Sequence, residues 1–127
     1  MLRGRFAAIK NLSMKHKAEL LRILAHPVRL TIMEELSQGA KCVTDIKDLL
    51  EISQSNVSQH LMALRREKVI DFHEDGNLRC YYITRPKLVK GLLRFISGDY
   101  PVVERSAKTV RQEGQRREQT FSGSCES

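Results

Sequence analysis

Thr44-Asp45-Ile46-Lys47-Asp48-Leu49-Leu50-Glu51-Ile52-Ser53-Gln54-Ser55-Asn56-Val57-Ser58-Gln59-His60-Leu61 is the stretch whose spacing decides the fold. Thr44 can cap a helix from Asp45 to about Leu50, with Ile46, Leu49 and Leu50 inward and Asp45 in the first turn, where the helix dipole favours a carboxylate. Only Glu51 and Ile52 separate it from Ser53, a second cap residue, so two short helices meet at the tight spacing of a helix-turn-helix. A rotation of about 100° per residue puts Val57, Leu61 and Leu64 of the second helix on one line, an anchor to a core. Ser55, Gln59, Met62 and Arg66 lie opposite, with Asn56 and Ser58 beside them and Gln54 in the first turn. Paired hydrogen bonds from Asn or Gln to adenine, Ser bonds to bases or phosphates, and free amides at a helix start are the means by which such a face reads a major groove. Arg65, Arg66 and Lys68 fit backbone contacts, and His60, beside the buried line, is counted with the DNA-contact candidates of this helix. A capped, solvated helix start would look the same if the segment stood alone.

The flanking sequence argues that it does not. Ser13 can cap a helix running to about Ala25, with Met14, Ala18, Leu21 and Ala25 on one stripe and Leu20, Ile23 and Leu24 widening it. Pro27 suits the first turn of a second helix, whose inner side is Val28, Ile32, Met33 and Leu36 and whose stop is Gly39. Lys41 to Val43 is a candidate short strand. After about Lys68 the pattern changes to two β-prone runs, Val69 to Glu74 and Leu78 to Ile83, around Asp75-Gly76-Asn77, a hairpin signal. Pro86 opens a last helix to about Ser97, on which Leu88, Val89, Leu92, Leu93, Phe95 and Ile96 cover more than one face. Helix pair, helix-turn-helix, hairpin and closing helix make a mainly α winged helix-turn-helix with a small β-hairpin, and Arg79 places a cation near the wing tip. The acids Asp71, Glu74 and Asp75 suit a plain solvated hairpin instead.

The chain has 127 residues, 41% apolar and 29% charged, a one-domain globular mixture. No apolar run approaches the roughly 18 residues of a membrane helix, and the basic front lacks a signal-peptide pattern, so a cytoplasmic protein without membrane contact is expected. The organisation reads as a basic arm at 1–12, a winged helix-turn-helix DNA-binding domain at 13–97, to which the family resemblance given below adds dimerisation, and a polar, partly disordered tail at 98–127. The net charge of +7 makes a polyanion a candidate partner, and the excess lies mostly in residues 1–26, with six basic and one acidic side chain. Three cysteines, Cys42, Cys80 and Cys125, are too few and too odd for a disulfide framework and point to reduced thiols.

Several blocks in order, Leu24-Ala25-His26-Pro27-Val28-Arg29-Leu30, Cys42-Val43-Thr44-Asp45-Ile46, Ser53 to Leu61, Leu64-Arg65 and Tyr81-Tyr82, make the sequence similar to the ArsR/SmtB family of winged-helix repressors. The resemblance spans about residues 14–97. It implies a homodimer built on the first and last helices, recognition helices in successive major grooves of a palindromic operator on double-stranded DNA, and an inducer, here unidentified, that lowers DNA affinity. The surplus apolar width on those two helices agrees, with Leu20, Leu21, Leu24, Leu88, Leu92, Leu93, Phe95 and Ile96 as interface candidates.

Two metal sites of the family can be tested by residue. In the third-helix type, Cys42 and Asp45 match but Thr44 replaces the second thiolate, a poor ligand for a soft ion. In the closing-helix type, His and carboxylate ligands are needed, and residues 86–97 hold none. No metal or other cofactor is therefore expected. A thiol response remains: the short strand before the third helix should pair with a wing strand, so oxidation or a bridging soft ion at Cys42 and Cys80 could act on DNA binding, unless both are merely small buried apolar residues. His26 suits a helix cap, His60 a structural hydrogen bond, and His16 and His73 the surface. No nucleophile with a base and no phosphate-cradling glycine loop argues for an enzyme. A winged-helix module that binds protein rather than DNA is the competing class, though an aromatic or arginine anchor would then be expected where the amide and hydroxyl face lies.

Overall fold

The computed structural model describes residues 13–120; the basic arm at 1–12 and the end of the tail at 121–127, with Cys125, lie outside them. The first unit of the chain, ending at Ser97, carries α1 (Met14–Leu24), α2 (Pro27–Ser37), β1 (Lys41–Cys42), α3 (Val43–Leu50), α4 (Gln54–Arg66), β2 (Ile70–Asp75), β3 (Leu78–Ile83) and α5 (Pro86–Ser97). Residues 98–127 form a second unit with α6 (Ala107–Thr120), a polar helix capped by Ser106 at the amide of Thr109, with Arg105 paired to Glu113.

Local chemistry sets most helix starts. The Ser13 hydroxyl accepts from the His16 amide, Ser53 accepts from the Asn56 amide, and Pro27 occupies the first turn of α2 behind a cap from His26, whose Nδ1 accepts from the Val28 amide at 3.1 Å. The start of α3 departs from expectation. Cys42 is its N-cap and makes no side-chain cap bond, and Thr44, expected to cap, lies inside the first turn. The strand before it is accordingly two residues long, since Val43 already belongs to the helix. Glu51 closes α3 in the left-handed region (φ 54°), which turns the chain within three residues into the Ser53 cap.

The antiparallel sheet has the order β1-β3-β2, so β3 is central and the two-residue β1 runs directly into the start of α3. Pairing of Asp75 with Leu78 leaves Gly76 and Asn77 as a two-residue loop, and Gly76 (φ +66°) supplies the positive φ that a primed hairpin turn requires. Before β2 the chain turns at Lys68 (φ 59°), whose carbonyl accepts from Thr84 Oγ1 at 2.6 Å and from Arg85 Nε at 3.0 Å, clamping the base of the wing.

One core serves the helices and the hairpin of the first unit: Leu24, Ile32, Met33, Leu36, Ile46, Val57, Leu61, Leu64, Val69, Ile70, Tyr81 and Val89 are buried together. Two expectations change here. Leu24, expected at a dimer interface, is spent in this core at 2% exposure, because α1 turns its last residue inward against the helices behind it. Leu49, expected inward, is 55% exposed: α3 is barely two turns long, and Ile46 alone is fully buried on it, with Leu50 half-buried. No helix among the described residues is long and apolar enough to cross a membrane.

Leu64, at 0% exposure, should lose about 2–5 kcal/mol of stability on truncation to Ala, whereas Leu49→Ala should stay within about 0.5 kcal/mol; urea unfolding of both variants measures the difference.

Candidate nucleic-acid interface

α4 sits on the core through Val57, Leu61 and Leu64, and that single choice turns Gln54, Ser55, Asn56, Ser58, Gln59, Met62, Arg65 and Arg66 outward, all exposed. Ser53 and Ser55 hydroxyls lie 3.2 Å apart at the helix start. The N-terminal half of the face offers amides and hydroxyls, the C-terminal half cations. An open groove of about 670 Å³ runs beside the latter, walled by Met62, Arg65, Arg66 and Lys68 on one side and by Ile70, Asp71 and Thr84 on the other.

His60 lies elsewhere. Its Nδ1 accepts from Arg29 Nε at 3.1 Å and its ring meets that of His26 at 4.5 Å, so it faces α2 rather than the outward face. Arg29 also donates to the Ile23 carbonyl at 2.8 Å, and one guanidinium thereby ties the end of α1 and the middle of α4 to α2. Burial first, then the neighbouring His26 and the Arg29 cation, hold the His60 pKa below its usual 6.5.

The wing is held to α4 by a second tie. Arg65 and Arg79 both lie over the Phe72 ring, their guanidinium carbons 4.4 and 4.6 Å from its centre. Arg65 further binds Asp71 at 3.0 Å, and the Asp71 carboxyl, which also accepts from the Phe72 amide at 2.8 Å, has its pKa lowered first by that amide and then by Arg65. Arg79 approaches Glu74 at 3.8 Å, an exposed pair that contributes at most about 1 kcal/mol. The expected wing cation is therefore present, docked against an aromatic ring on the hairpin. His73 stacks on Tyr82 at 5.1 Å. Cys42 and Cys80 are cross-strand neighbours, both half-buried and free, with sulfurs 2.9 Å apart.

Of the interface candidates, Leu21, Phe95 and Ile96 are exposed, while Leu20, Leu88, Leu92 and Leu93 are half-buried against the core. No group of three or more metal-ligating side chains occurs among the described residues. Neither Arg29 nor Phe72 was singled out from the sequence as a site residue. The partners that give them their roles lie in other elements, and no local spacing announces them.

This arrangement, a helix-turn-helix followed by a β-hairpin whose second strand also pairs with the short β1, is a winged helix. The sequence pattern of the bacterial regulatory protein, arsR family, matches residues 26–71. The transcriptional repressor PagR of Bacillus anthracis is 40% identical over 90 residues, covering 70% of this chain and 89% of its own; its crystal structure superposes with a TM-score of 0.57 over 67% of this chain and 97% of PagR. The crystal structure of Rv0081 from Mycobacterium tuberculosis gives a TM-score of 0.61 at 31% identity, over 81% of this chain and 93% of the other. HlyU of Vibrio cholerae gives 0.58 at 29% identity, over 68% of this chain and all of HlyU. The chain belongs to the arsR family of bacterial regulatory proteins, the ArsR/SmtB-type transcriptional regulators.

Because His60 is harder to protonate folded than unfolded, its contribution to stability is intact above pH 6.5 and falls as the pH drops through and below that value. His60→Asn, which keeps an acceptor for Arg29 and removes the titration, should flatten this part of the stability profile between pH 7 and about pH 5, as read by urea unfolding at each pH.

Proposed function

We propose that the chain is a sequence-specific repressor that binds double-stranded DNA as a homodimer on a palindromic operator and is released by an inducer. The observation that carries this reading is the outward face of α4, where Gln54, Ser55, Asn56, Ser58 and Gln59 present amide and hydroxyl groups without an apolar side chain among them. Such groups match base edges in a major groove. Arg65, Arg66 and Arg79 lie further along α4 and on the wing, where phosphates would pass, and the protein's net charge of +7 adds a general attraction to a polyanion. His60 serves this surface indirectly, by fixing α4 to Arg29. Repression is supported by relatives named as repressors, PagR among them.

The homodimer is supported by α1 and α5. Met14, Leu21 and Ile96 are 79%, 55% and 49% exposed, and Phe95 on the same closing helix is 63% exposed. Apolar exposure on this scale within two helices is what a self-association surface removes from water. In such a dimer, α4 of each protomer would meet one half-site, with half-sites about one helical turn apart.

Selection of sites from a random duplex pool near physiological salt tests the proposal. A palindromic winner supports it; binding that is unselective and steeply salt-dependent overturns sequence-specific repression, and absence of binding favours a protein partner. On the selected site, Gln59→Ala should cost about 1–3 kcal/mol and relax the sequence preference, whereas Arg79→Ala should weaken all sequences alike and reduce the salt slope by about 1. Leu21→Glu and Ile96→Glu, at positions outside the core, should halve the mass seen in sedimentation and abolish tight operator binding with it.

A further inference from the structure

We propose that Cys42 and Cys80 form a reversible regulatory disulfide, driven by a hydroperoxide, that joins the start of the helix-turn-helix to the wing and weakens operator binding. The weakening rests on the DNA-binding reading above; the disulfide itself does not.

The geometry of the pair carries the proposal. β1 and β3 run antiparallel with Cys42 directly opposite Cys80, and the two sulfurs are 2.9 Å apart although 38 residues separate them in sequence. Residues directly opposite in an antiparallel pair have Cα atoms about 4.5–5.5 Å apart, inside the roughly 4.4–6.8 Å that a disulfide spans, so the bond can form without displacing the backbone. Both residues are half-buried, so each retains some contact with solvent. With two sulfurs and no third ligand gathered among the described residues, the site suits thiol oxidation better than metal capture.

The chemistry divides between the two sulfurs. The hydrogen bond to Cys80, ahead of desolvation, pushes the Cys42 thiol up to about 11, so Cys42 keeps its proton at neutral pH. Cys80 sulfur takes the terminal oxygen of the hydroperoxide: an S–O bond forms, the S–H and O–O bonds break, and the alcohol leaves with the thiol proton, giving a sulfenic acid. Cys42 sulfur then attacks Cys80 sulfur; the S–S bond forms, the S–O bond breaks, and hydroxide departs with the Cys42 proton as water. Two thiols lose two electrons and two protons, and the hydroperoxide is reduced to alcohol and water. A small dithiol reverses the step by exchange.

The position explains the coupling. Cys42 is the N-cap of α3 and immediately precedes its first residue, while Cys80 immediately follows Arg79 on the central strand of the wing. β1 and β3 pair through two residue positions, Lys41 with Tyr81 and Cys42 with Cys80. Such a short ladder leaves the junction between β3 and the start of α3 resting on few backbone hydrogen bonds. A covalent tie draws the sulfurs closer than their present contact and stiffens that junction, at the residue next to Arg79, without a shift of the backbone.

The full-length protein, reduced and then treated with stoichiometric hydrogen peroxide, is followed by peptide-mapping mass spectrometry and by fluorescence anisotropy on its selected operator. Expected are a Cys42–Cys80 linked peptide, distinguished by mapping from any bond to Cys125, and a roughly tenfold loss of affinity, ordinary for coupled sites, both reversed by dithiothreitol. Cys42→Ser and Cys80→Ser should each form no such link and keep the reduced affinity under peroxide. Failure to find the linked peptide overturns the proposal, as does a linked protein with unchanged affinity. If the reduced protein selects no operator, the DNA-binding reading fails and the coupling with it, while the linked peptide and a higher melting temperature of the oxidised protein still decide whether the disulfide forms.

Discussion

Burial of Val57, Leu61 and Leu64 at 0%, 1% and 0% exposure is the constraint on which the rest of this protein depends. A helix has one azimuth about its own axis, and three apolar side chains at i, i+4 and i+7 set it when they enter a core. Once they are inside, Ser55, Gln59, Met62 and Arg66 have nowhere to go but out. Turning α4 by one residue would bury polar amides without partners and expose leucines, two costs that reinforce each other. The outward face of amides and hydroxyls is thus a consequence of packing.

Two cationic ties hold that face in place. Arg29 reaches from α2 to the Ile23 carbonyl and to His60, joining three helices through one planar group. Phe72, on β2, receives Arg65 from α4 and Arg79 from β3 on its ring, so the end of the recognition helix and the wing share one aromatic partner. Neither tie is a buried salt bridge, and neither is costly to desolvate: the first ends on a carbonyl and a neutral imidazole, the second on a ring face. Precision of placement matters more here than strength, since a reading head and a wing serve one ligand only if both arrive together.

The cysteine pair belongs to the same logic. β1 has two residues and immediately becomes the cap of α3, so the wing meets the start of the helix-turn-helix through a very short ladder, apart from its tie to α4 at Phe72. A fold with a longer β1 would have spread that junction over many hydrogen bonds. Here a side-chain event at one residue pair acts on a large share of it.

The elements with local causes were legible from the chain alone. Ser13, Pro27 and Ser53 start helices because their caps and fixed φ act within a few residues, Asp75-Gly76-Asn77 turns because glycine takes φ +66° at no cost, and the periodicity of Val57, Leu61 and Leu64 orients α4. The order of those elements, together with matching blocks from Leu24 to Tyr82, was enough for the family. Where one short helix starts was not: α3 begins at Val43 without a side-chain cap, because pairing of Cys42 with β3 places the chain there and tertiary contact overrides the preference of Thr44. Leu24 and Leu49 exchanged the expected roles for the same reason, since an apolar stripe wider than one face does not say which edge meets the core. The sequence by itself determined the succession of helices and strands and the polarity of the recognition face, both set by interactions a few residues apart. Only the tertiary structure decided that Arg29 holds His60, that Arg65 and Arg79 share Phe72, and that Cys42 touches Cys80, because register and side-chain direction between distant segments are fixed by packing of the whole core.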